Sequence, residues 1–220
     1  MQPPLTVEGI EIAYGDQVLV KGFGLHVDAG ESVALMGPSG SGKTSLLHCL
    51  VGLSRPAAGE IRIAGNPMTG VSAARRADAR RGLIGTAYQT PDLLAEVNVA
   101  ENVAITLLFE GAAREDALAA ARRSLAAVGV EHLAERGVAN LSGGEAQRVS
   151  LARALVRESM CLLVADEPTA SLDGTNAVRL SDLMTGMVRE RGIGAVIATH
   201  DQRVADRCDR VVELRDVTVR

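Results

Sequence analysis

Apolar and β-branched residues form short runs along the first third of the chain, and glycine or aspartate separates the runs. Runs of this kind predict β-strands. After the third run the apolar spacing changes to that of a helix, which starts directly behind a glycine-rich turn. The predicted strands are Leu5–Tyr14, Val18–Val27, Ser32–Met36 and Glu60–Ala64, and the predicted helix is Thr44–Leu53, ending near Gly52.

The rest of the chain begins with a helical insert. From Pro91 to Gly137 the apolar positions repeat with the helical period, and Glu and Arg occupy the polar face. Beyond the insert, strands alternate with helices, which predicts the α/β class with a largely parallel sheet covered on both faces. The predicted elements there are a helix from Leu141 through Arg157, strand Cys161–Ala165, helix Thr175–Arg191, and strands Ala195–Thr199 and Arg210–Leu214.

Composition narrows the classes of protein that fit this pattern. A chain of 220 residues with 47% hydrophobic residues is long enough to bury one core, so we expect a single domain over residues 1–220. The net charge of −4 gives no basic excess, so no nucleic-acid partner is expected.

Cysteine usage and hydropathy bear on the compartment. Cys49, Cys161 and Cys208 are widely spaced, lie among apolar residues and form no CxxC pair, so we expect reduced core thiols in a cytosolic protein. No apolar run approaches the ~18 residues of a membrane helix, and the N-terminus lacks the features of a signal peptide. A role at a membrane would therefore require docking onto a separate subunit.

A glycine-rich turn follows the third predicted strand and matches the P-loop pattern. Its glycines let backbone N–H groups approach phosphate oxygens, and the helix behind it adds the positive end of its dipole. Lys43 is expected to reach the β- and γ-phosphates, and Thr44 to bind Mg²⁺ through its hydroxyl. The alternative, a turn with an incidental lysine, is disfavoured because the chain has only two lysines. The predicted ATP-binding residues of the turn are Gly37, Pro38, Ser39, Gly40, Ser41, Gly42, Lys43, Thr44 and Ser45.

Two adjacent carboxylates end the buried strand that precedes Pro168. Asp166 is predicted to hold Mg²⁺ through water, and Glu167 to orient and deprotonate the attacking water. The alternative is that both carboxylates cap a helix that follows Pro168. His200 follows the next predicted strand and is expected at the same sheet edge, where a ring N–H could reach a γ-phosphate or the attacking water.

A second glycine-rich helix start has the sequence Leu-Ser-Gly-Gly-Glu-Ala-Gln-Arg, from Leu141. Ser142 and Glu145 have the spacing of a capping box, and the N–H groups at Gly143 and Gly144 can bind an anion. A helix cap alone would explain Ser142 and Glu145 but not the two glycines. The segment resembles the signature motif that distinguishes ABC ATPases from other P-loop proteins.

This resemblance covers nearly the whole chain and implies roles for further residues. Tyr14 matches the aromatic residue that stacks on adenine, with a core position as the alternative. Gln89 matches the glutamine that contacts Mg²⁺ and the attacking water and begins the segment facing the permease. Asp173, in Ser171-Leu172-Asp173, matches the loop that signals between two subunits, and His200 matches the switch histidine.

The family also implies an architecture and a partner copy. Its fold is a P-loop NTPase core, here about residues 1–90 and 155–220, with an N-terminal antiparallel β subdomain and a helical subdomain, here about 91–154. It implies a homodimer with composite ATP sites. Lys43 and Thr44 of one chain and the signature residues Ser142, Gly143, Gly144 and Glu145 of the other would enclose each Mg-ATP.

The Leu-Ser-Gly-Gly-Glu sequence and the run Ala165–Thr169 resemble the group that serves lipoprotein release, macrolide or peptide export, haem export and cell division. Membership implies an integral membrane permease as partner, a cytoplasmic location on the inner face of the cell membrane, and ATP-driven export or extraction of a substrate from the membrane. A helical segment over about Thr90–Val103 would move the permease. The alternative is that its apolar residues pack inside the helical insert; these are Leu93, Leu94, Val97 and Val99. The alternative within the family is a non-transport ATPase acting on a membrane-associated complex, such as a cell-division assembly.

Overall fold

The structure, a computed structural model, describes residues 2–15 and 17–214, without the side chain of Tyr14. Strands and helices alternate through most of this part of the chain, and two short 3₁₀ turns lie at Glu131–Leu133 and Val138–Asn140. The elements are β1 (Leu5–Tyr14), β2 (Gln17–Val27), β3 (Ser32–Met36), α1 (Lys43–Leu50), β4 (Ala58–Ile63), β5 (Asn66–Pro67), α2 (Ala73–Leu83), β6 (Ile84–Tyr88), α3 (Val99–Leu108), α4 (Arg114–Ala127), α5 (Gly143–Leu155), β7 (Leu162–Asp166), α6 (Gly174–Arg191), β8 (Gly194–Ala198), α7 (Gln202–Ala205) and β9 (Arg210–Glu213).

These strands form two sheets. An antiparallel sheet has the order β2-β1-β4-β5, and a second sheet has the order β6-β7-β8-β3-β9. All four strand pairs of the second sheet are parallel. The predicted parallel sheet is therefore present, as is the antiparallel sheet that the family resemblance implies for the N-terminal part.

The burial of the strands agrees with the two types of sheet. In β7 and β8 nearly every residue is buried, as expected for strands covered by helices on both faces. In β2 and β4 exposed residues alternate with buried ones over part of the strand, which is typical of a sheet with one solvated face. One apolar core joins the antiparallel sheet to α1 and β3. A second core joins α3, α4 and α5 to the parallel sheet and to α6.

The predicted helix over Thr90–Val103 is wrong in its first part. Residues 90–98 are irregular, and α3 begins only at Val99, where Asn98 and Glu101 form a reciprocal capping box. The buried side chain of Asn102 donates to the carbonyl oxygens of Leu94, Val97 and Asn98 and accepts from the N–H of Leu94. Because Asn102 binds these backbone groups, the segment is fixed without being helical.

The strand β6 was not predicted from the sequence. β6 follows α2 directly and pairs with β7, so residues 84–88 form one edge of the parallel sheet. The run is short and contains a glycine, which weakens the strand pattern. Gly85 is required by packing, because a Cβ there would lie 2.3 Å from the carbonyl oxygen of Ala154 in α5. The close approach of α5 therefore requires glycine at position 85, and this glycine weakens the strand pattern in the sequence.

Candidate nucleotide site

The candidate residues of four separate segments follow strands that end at one edge of the parallel sheet. Tyr88 pairs with Asp166, Asp166 pairs with Ala198, and Leu35 also pairs with Ala198. The residues that come next at this edge are Gln89 after β6, Glu167 after β7, Thr199 and His200 after β8, and Gly37 one residue after Met36 in β3. In open α/β sheets, ligands bind beyond the carboxyl ends of the strands.

The turn between β3 and α1 has the conformation of a phosphate-binding loop. Gly40 and Gly42 have φ values of 86° and 92°, which residues with a side chain rarely adopt, and Gly42 is the N-cap of α1. Lys43 Nζ donates to the carbonyl oxygens of Gly37, at 2.6 Å, and Pro38, at 3.1 Å. The ammonium group therefore lies across the turn. Leu19, Ser39, Gly40, Gly42, Lys43, Thr44, Ser45, Asp166 and Glu167 line a pocket of about 370 Å³ at this position.

Ser41 carries the clearest sign that this loop receives a ligand. Its side chain is buried, and among the described residues its Oγ has no hydrogen-bond partner. Leaving a buried hydroxyl unpaired costs about 1–3 kcal/mol. A phosphate oxygen would accept the hydrogen bond that the protein does not provide, so the loop fits a nucleotide phosphate.

The donor set of the same pocket suits Mg²⁺. Thr44 and Asp166 line it together and offer hydroxyl and carboxylate oxygens, which are ligands that Mg²⁺ prefers. Among the described residues, no group of three or more His, Cys, Asp and Glu side chains could hold a metal ion by itself. A magnesium ion here would depend on nucleotide phosphates for further ligands, which is its usual mode of binding in such sites.

Glu167 has an unusual backbone conformation. Its φ of 47° is in the left-handed region, which costs a non-glycine residue about 1–3 kcal/mol. Its N–H donates to the carbonyl oxygen of Ala198 at 2.9 Å, and its carboxylate lies 2.9 Å from Nδ1 of His200. The alternative that Asp166 and Glu167 cap a helix after Pro168 is wrong, because residues 168–173 form turns and α6 begins at Gly174.

The signature segment forms a separate pocket on the same chain. Ser142 and Glu145 make the predicted capping box at the start of α5, and their hydrogen bonds lower the pKa of Glu145. Gly143 and Gly144 line this pocket of about 460 Å³, which shares no lining residue with the P-loop pocket. A Cβ on either glycine would have its nearest neighbour at 3.8 Å or more, so packing within the chain does not require glycine at these positions.

Asp173 lies at the signature pocket rather than at the P-loop. Its carboxylate is the N-cap of α6 and accepts from the N–H groups of Thr175 and Asn176. The hydrogen bonds from Asn176 lower the pKa of Asp173 most, and the N–H of Thr175 adds to this effect. Ser171 and Leu172 line the same pocket. Tyr14 ends β1, but its side chain lies outside the described part of the structure.

Two polar residues of α5 fix the segment after β6, and neither was predicted from the sequence. Gln89 itself is exposed, and its carbonyl oxygen accepts from the buried side chain of Gln147 in α5 at 2.6 Å. Arg153, also in α5, donates to the carbonyl oxygens of Pro91 and Asp92. The sequence showed the start and the apolar pattern of α5 but did not indicate which distant backbone groups Gln147 and Arg153 would bind.

A strand, a glycine-rich turn and a helix that meet an acidic strand end at the carboxyl edge of a parallel sheet define a P-loop nucleotide-binding protein. The ABC transporter family profile matches residues 20–170. The chain therefore belongs to the ABC transporter family.

Two curated relatives illustrate the similarity, and both are called lipoprotein-releasing system ATP-binding proteins. LolD 2 of Caulobacter vibrioides is 42% identical over 218 residues, covering 97% of this chain and 95% of the relative. LolD of Chromohalobacter salexigens is 46% identical over 214 residues, covering 96% and 90%. The predicted group, which includes lipoprotein release, is confirmed by these relatives.

Two solved structures share the fold. A dimeric bacterial ABC transporter cassette has a TM-score of 0.85 and 29% identity, covering 95% of this chain and 93% of its own. A dimeric post-hydrolysis state of an ATP-binding cassette with ADP and Pi has a TM-score of 0.86 and 30% identity, covering 96% and 94%. The predicted fold class and the predicted ATP-binding, ATP-hydrolysing subunit of an ABC transporter are confirmed, whereas the roles of individual residues stay predictions.

No described helix is both long and apolar enough to span a membrane.

Proposed function

We propose that this chain powers the release of lipoproteins from a membrane. Two copies close around two Mg-ATP, and hydrolysis reopens them while they act on a separate integral membrane permease from the cytoplasmic, inner face of the membrane. The substrate class rests on the relatives, which are lipoprotein-releasing ATP-binding proteins. Their names also favour this function over the alternative of a cell-division assembly.

The presence of two separate pockets carries the dimer proposal. The P-loop pocket has the groups for phosphate, and the signature pocket has a helix N-terminus that begins with two glycines. Glycine there is not required by packing within the chain, so a close approach from outside explains it. A second copy that places its P-loop against Ser142, Gly143 and Gly144 would supply that approach, and each ATP would then touch both chains.

Within each site the chain's own residues divide the chemistry. Lys43 would exchange the carbonyl oxygens of Gly37 and Pro38 for phosphate oxygens when ATP binds. Thr44 and Asp166 would hold Mg²⁺, which neutralises phosphate charge when bound, and Gln89 would join from the neighbouring strand end. Tyr14 would stack on the adenine.

Glu167 is the proposed general base. Its carboxylate would accept a proton from the attacking water, and His200, in contact with that carboxylate, would keep it oriented and reach the γ-phosphate. Closing the dimer requires ATP to bind the closed state more tightly than the open state. Moving a population from 1:99 to 99:1 takes about 5.5 kcal/mol of such preference.

Mixing two inactive variants tests whether the site is composite. Lys43→Ala destroys the P-loop half, and Ser142→Arg blocks the signature half. In a mixed dimer, the intact P-loop of one chain meets the intact signature of the other, so magnesium-dependent phosphate release should reappear on mixing. No recovery, from two variants that are folded by circular dichroism, would show that the two halves do not come from different chains.

We assign permease docking to exposed apolar residues that follow Gln89 in the sequence. Leu94 is 43% exposed and Phe109 80% exposed, while Val99 is fully buried and belongs to the core. Leu94→Ser and Phe109→Ser should weaken copurification with the membrane permease but leave phosphate release by the isolated chain unchanged. Leu53→Ser, at a residue 53% exposed beyond α1, is the matched control and should retain the permease.

Lipoprotein release is tested with the chain and its copurifying permease in lipid vesicles. We expect a bound lipoprotein to leave the vesicles only when ATP and Mg²⁺ are present. Release that continues when Glu167→Gln replaces the natural chain would contradict the proposal.

A further inference from the structure

Arg203 in α7 contacts two segments that border the candidate catalytic residues. Its Nε lies 3.0 Å and 3.2 Å from the two carboxylate oxygens of Asp201, and its Nη2 lies 2.6 Å from one of them. The N–H of Arg203 also donates to the carboxylate of Asp201 at 2.9 Å. Asp201 therefore holds the guanidinium in one orientation directly after His200.

The other side of this guanidinium rests on Gly174, the first residue of α6. A Cβ at Gly174 would lie 2.1 Å from Nη1 of Arg203 and 3.1 Å from its Cζ. The φ of Gly174 is outside the left-handed region, so its backbone conformation does not require glycine. The space for a Cβ is occupied by the end of the Arg203 side chain, which is 60% exposed, so a side chain at position 174 would displace the guanidinium from this contact.

These contacts complete a ring of interactions around the catalytic edge. His200 contacts the carboxylate of Glu167, and Asp201 follows His200 along the chain. Arg203 then connects Asp201 to Gly174, which follows Asp173 at the signature pocket. The segment between Glu167 and Asp173 closes the ring through two turn hydrogen bonds, from Ala170 N–H to Glu167 and from Leu172 N–H to Thr169.

The ring matters because His200 has little packing of its own. Its side chain is 70% exposed, whereas Thr199 before it is fully buried. Val204 and Ala205 in α7 are also fully buried, so both ends of the loop are anchored in the core and the exposed part lies between them. The pair between Arg203 and Asp201, together with the contact with Gly174, connects this exposed part of the loop to α6.

We propose that Arg203 is a positioning residue for ATP hydrolysis. Through its contact with Gly174, Arg203 holds the His200 loop against the turn that contains Asp173. This inference rests on the proposed ATPase function, and Arg203 itself touches neither of the two pockets that would enclose ATP. Arg203 links His200, which contacts Glu167 at the P-loop pocket, to the Asp173 turn at the signature pocket of the same chain.

A double-mutant cycle on the full chain tests this role. Gly174→Ala places a methyl group where the guanidinium lies, and Arg203→Ala removes the guanidinium. Each should lower kcat for ATP about tenfold, and the double variant should be no slower than Arg203→Ala, because coupled residues deviate from additivity by about 2- to 150-fold. The KM for ATP should stay within about twofold, because neither residue lines the P-loop pocket.

Gly186→Ala is the matched control. It makes the same substitution in the same helix, where a Cβ would meet nothing within 4 Å, so its kcat should equal that of the natural chain. Should Gly174→Ala fail to fold, Arg203→Ala alone must still lower kcat at unchanged KM. Independent losses that multiply in the double variant, or a lower Tm with natural kcat, would overturn the coupling. Absence of ATPase activity in the natural chain, measured first, would instead overturn the proposed function.

Discussion

Nδ1 of His200 lies 2.9 Å from both carboxylate oxygens of Glu167, although the two residues are 33 positions apart. The Glu167 side chain is 17% exposed and that of His200 is 70% exposed, so the imidazole lies on the solvent side of the carboxylate. The left-handed backbone of Glu167 and the ring of His200 thus orient the carboxylate from two directions. A strained, doubly restrained carboxylate beside a phosphate-binding pocket is a strong candidate for a general base.

Glu167→Gln should lower the turnover of ATP by about 10² to 10⁴, the usual contribution of a general base. ATP binding should persist, because the amide keeps the shape of the side chain and the P-loop is untouched. Steady-state phosphate release and equilibrium binding of ATP measure the two effects separately. Turnover equal to that of the natural chain would remove Glu167 from its assigned role.

His200→Ala should also lower kcat, and it should have little further effect when Glu167→Gln is already present. The two side chains touch, and residues that act as a unit give non-additive losses. The measurement is kcat for both single variants and the double variant. If the two losses multiplied, the contact between the side chains would have no part in catalysis.

Ser41→Ala should separate stability from ATP binding. The substitution removes a buried hydroxyl that has no partner among the described residues, so the free energy of unfolding without nucleotide should be unchanged or higher. ATP affinity should fall about 10- to 150-fold if the hydroxyl donates to a charged phosphate oxygen. Urea unfolding measures the effect on stability, and ATP titration measures the effect on affinity. A large loss of stability without nucleotide would contradict the prediction.

Gln147→Leu should weaken the attachment of the segment after β6 to α5. The carbonyl oxygen of Gln89 would lose its donor, which should lower the free energy of unfolding by about 1 kcal/mol. The kcat for ATP should fall as well, because Gln89 would lose its fixed position near Asp166. Gln17→Leu changes an exposed glutamine in β2 and is the control for both urea unfolding and kcat. Equal effects of the two substitutions would exclude a special role for Gln147.

Asp209 should make folding sensitive to acid. Burial raises the pKa of its carboxyl, but hydrogen bonds from Ser32 and Arg189 outweigh burial and lower the pKa from 3.8 to about 2. A lowered carboxyl pKa contributes stability that is complete above 3.8 and is lost as the pH falls toward about 2. Asp209→Asn should therefore be less stable than the natural chain at neutral pH, and the difference should shrink in this acidic window. Asp206→Asn, at an exposed residue, is the control for urea unfolding across the same pH range.

The parallel sheet and the glycine-rich turns were predictable from local sequence because they depend on residue type. Buried strands are apolar throughout, and the positive φ of Gly40 and Gly42 favours glycine whatever surrounds them. The capping box of Ser142 and Glu145 is equally local, since the two residues bind each other's backbone. Each of these features is determined by residues that lie close together in the sequence, so the sequence alone is enough to predict it.

Long-range contacts account for what the sequence analysis missed. The irregular segment before α3 exists because the buried Asn102 binds its backbone, although its apolar spacing fits a helix. The strand β6 contains Gly85 because α5 approaches it, and Gly174 accommodates Arg203. In each case the decisive neighbour is a side chain or backbone whose position only the folded chain reveals.

The order of strands in the parallel sheet has a consequence for synthesis on the ribosome. β3, which leads into the P-loop, lies between β8 and β9, so both of its neighbours are made more than 150 residues later. Until residue 213 has emerged, a nascent chain exposes unpaired β3 backbone and lacks the framework that supports the phosphate loop. Newly made chains should therefore be unable to capture ATP until β9 has left the ribosome.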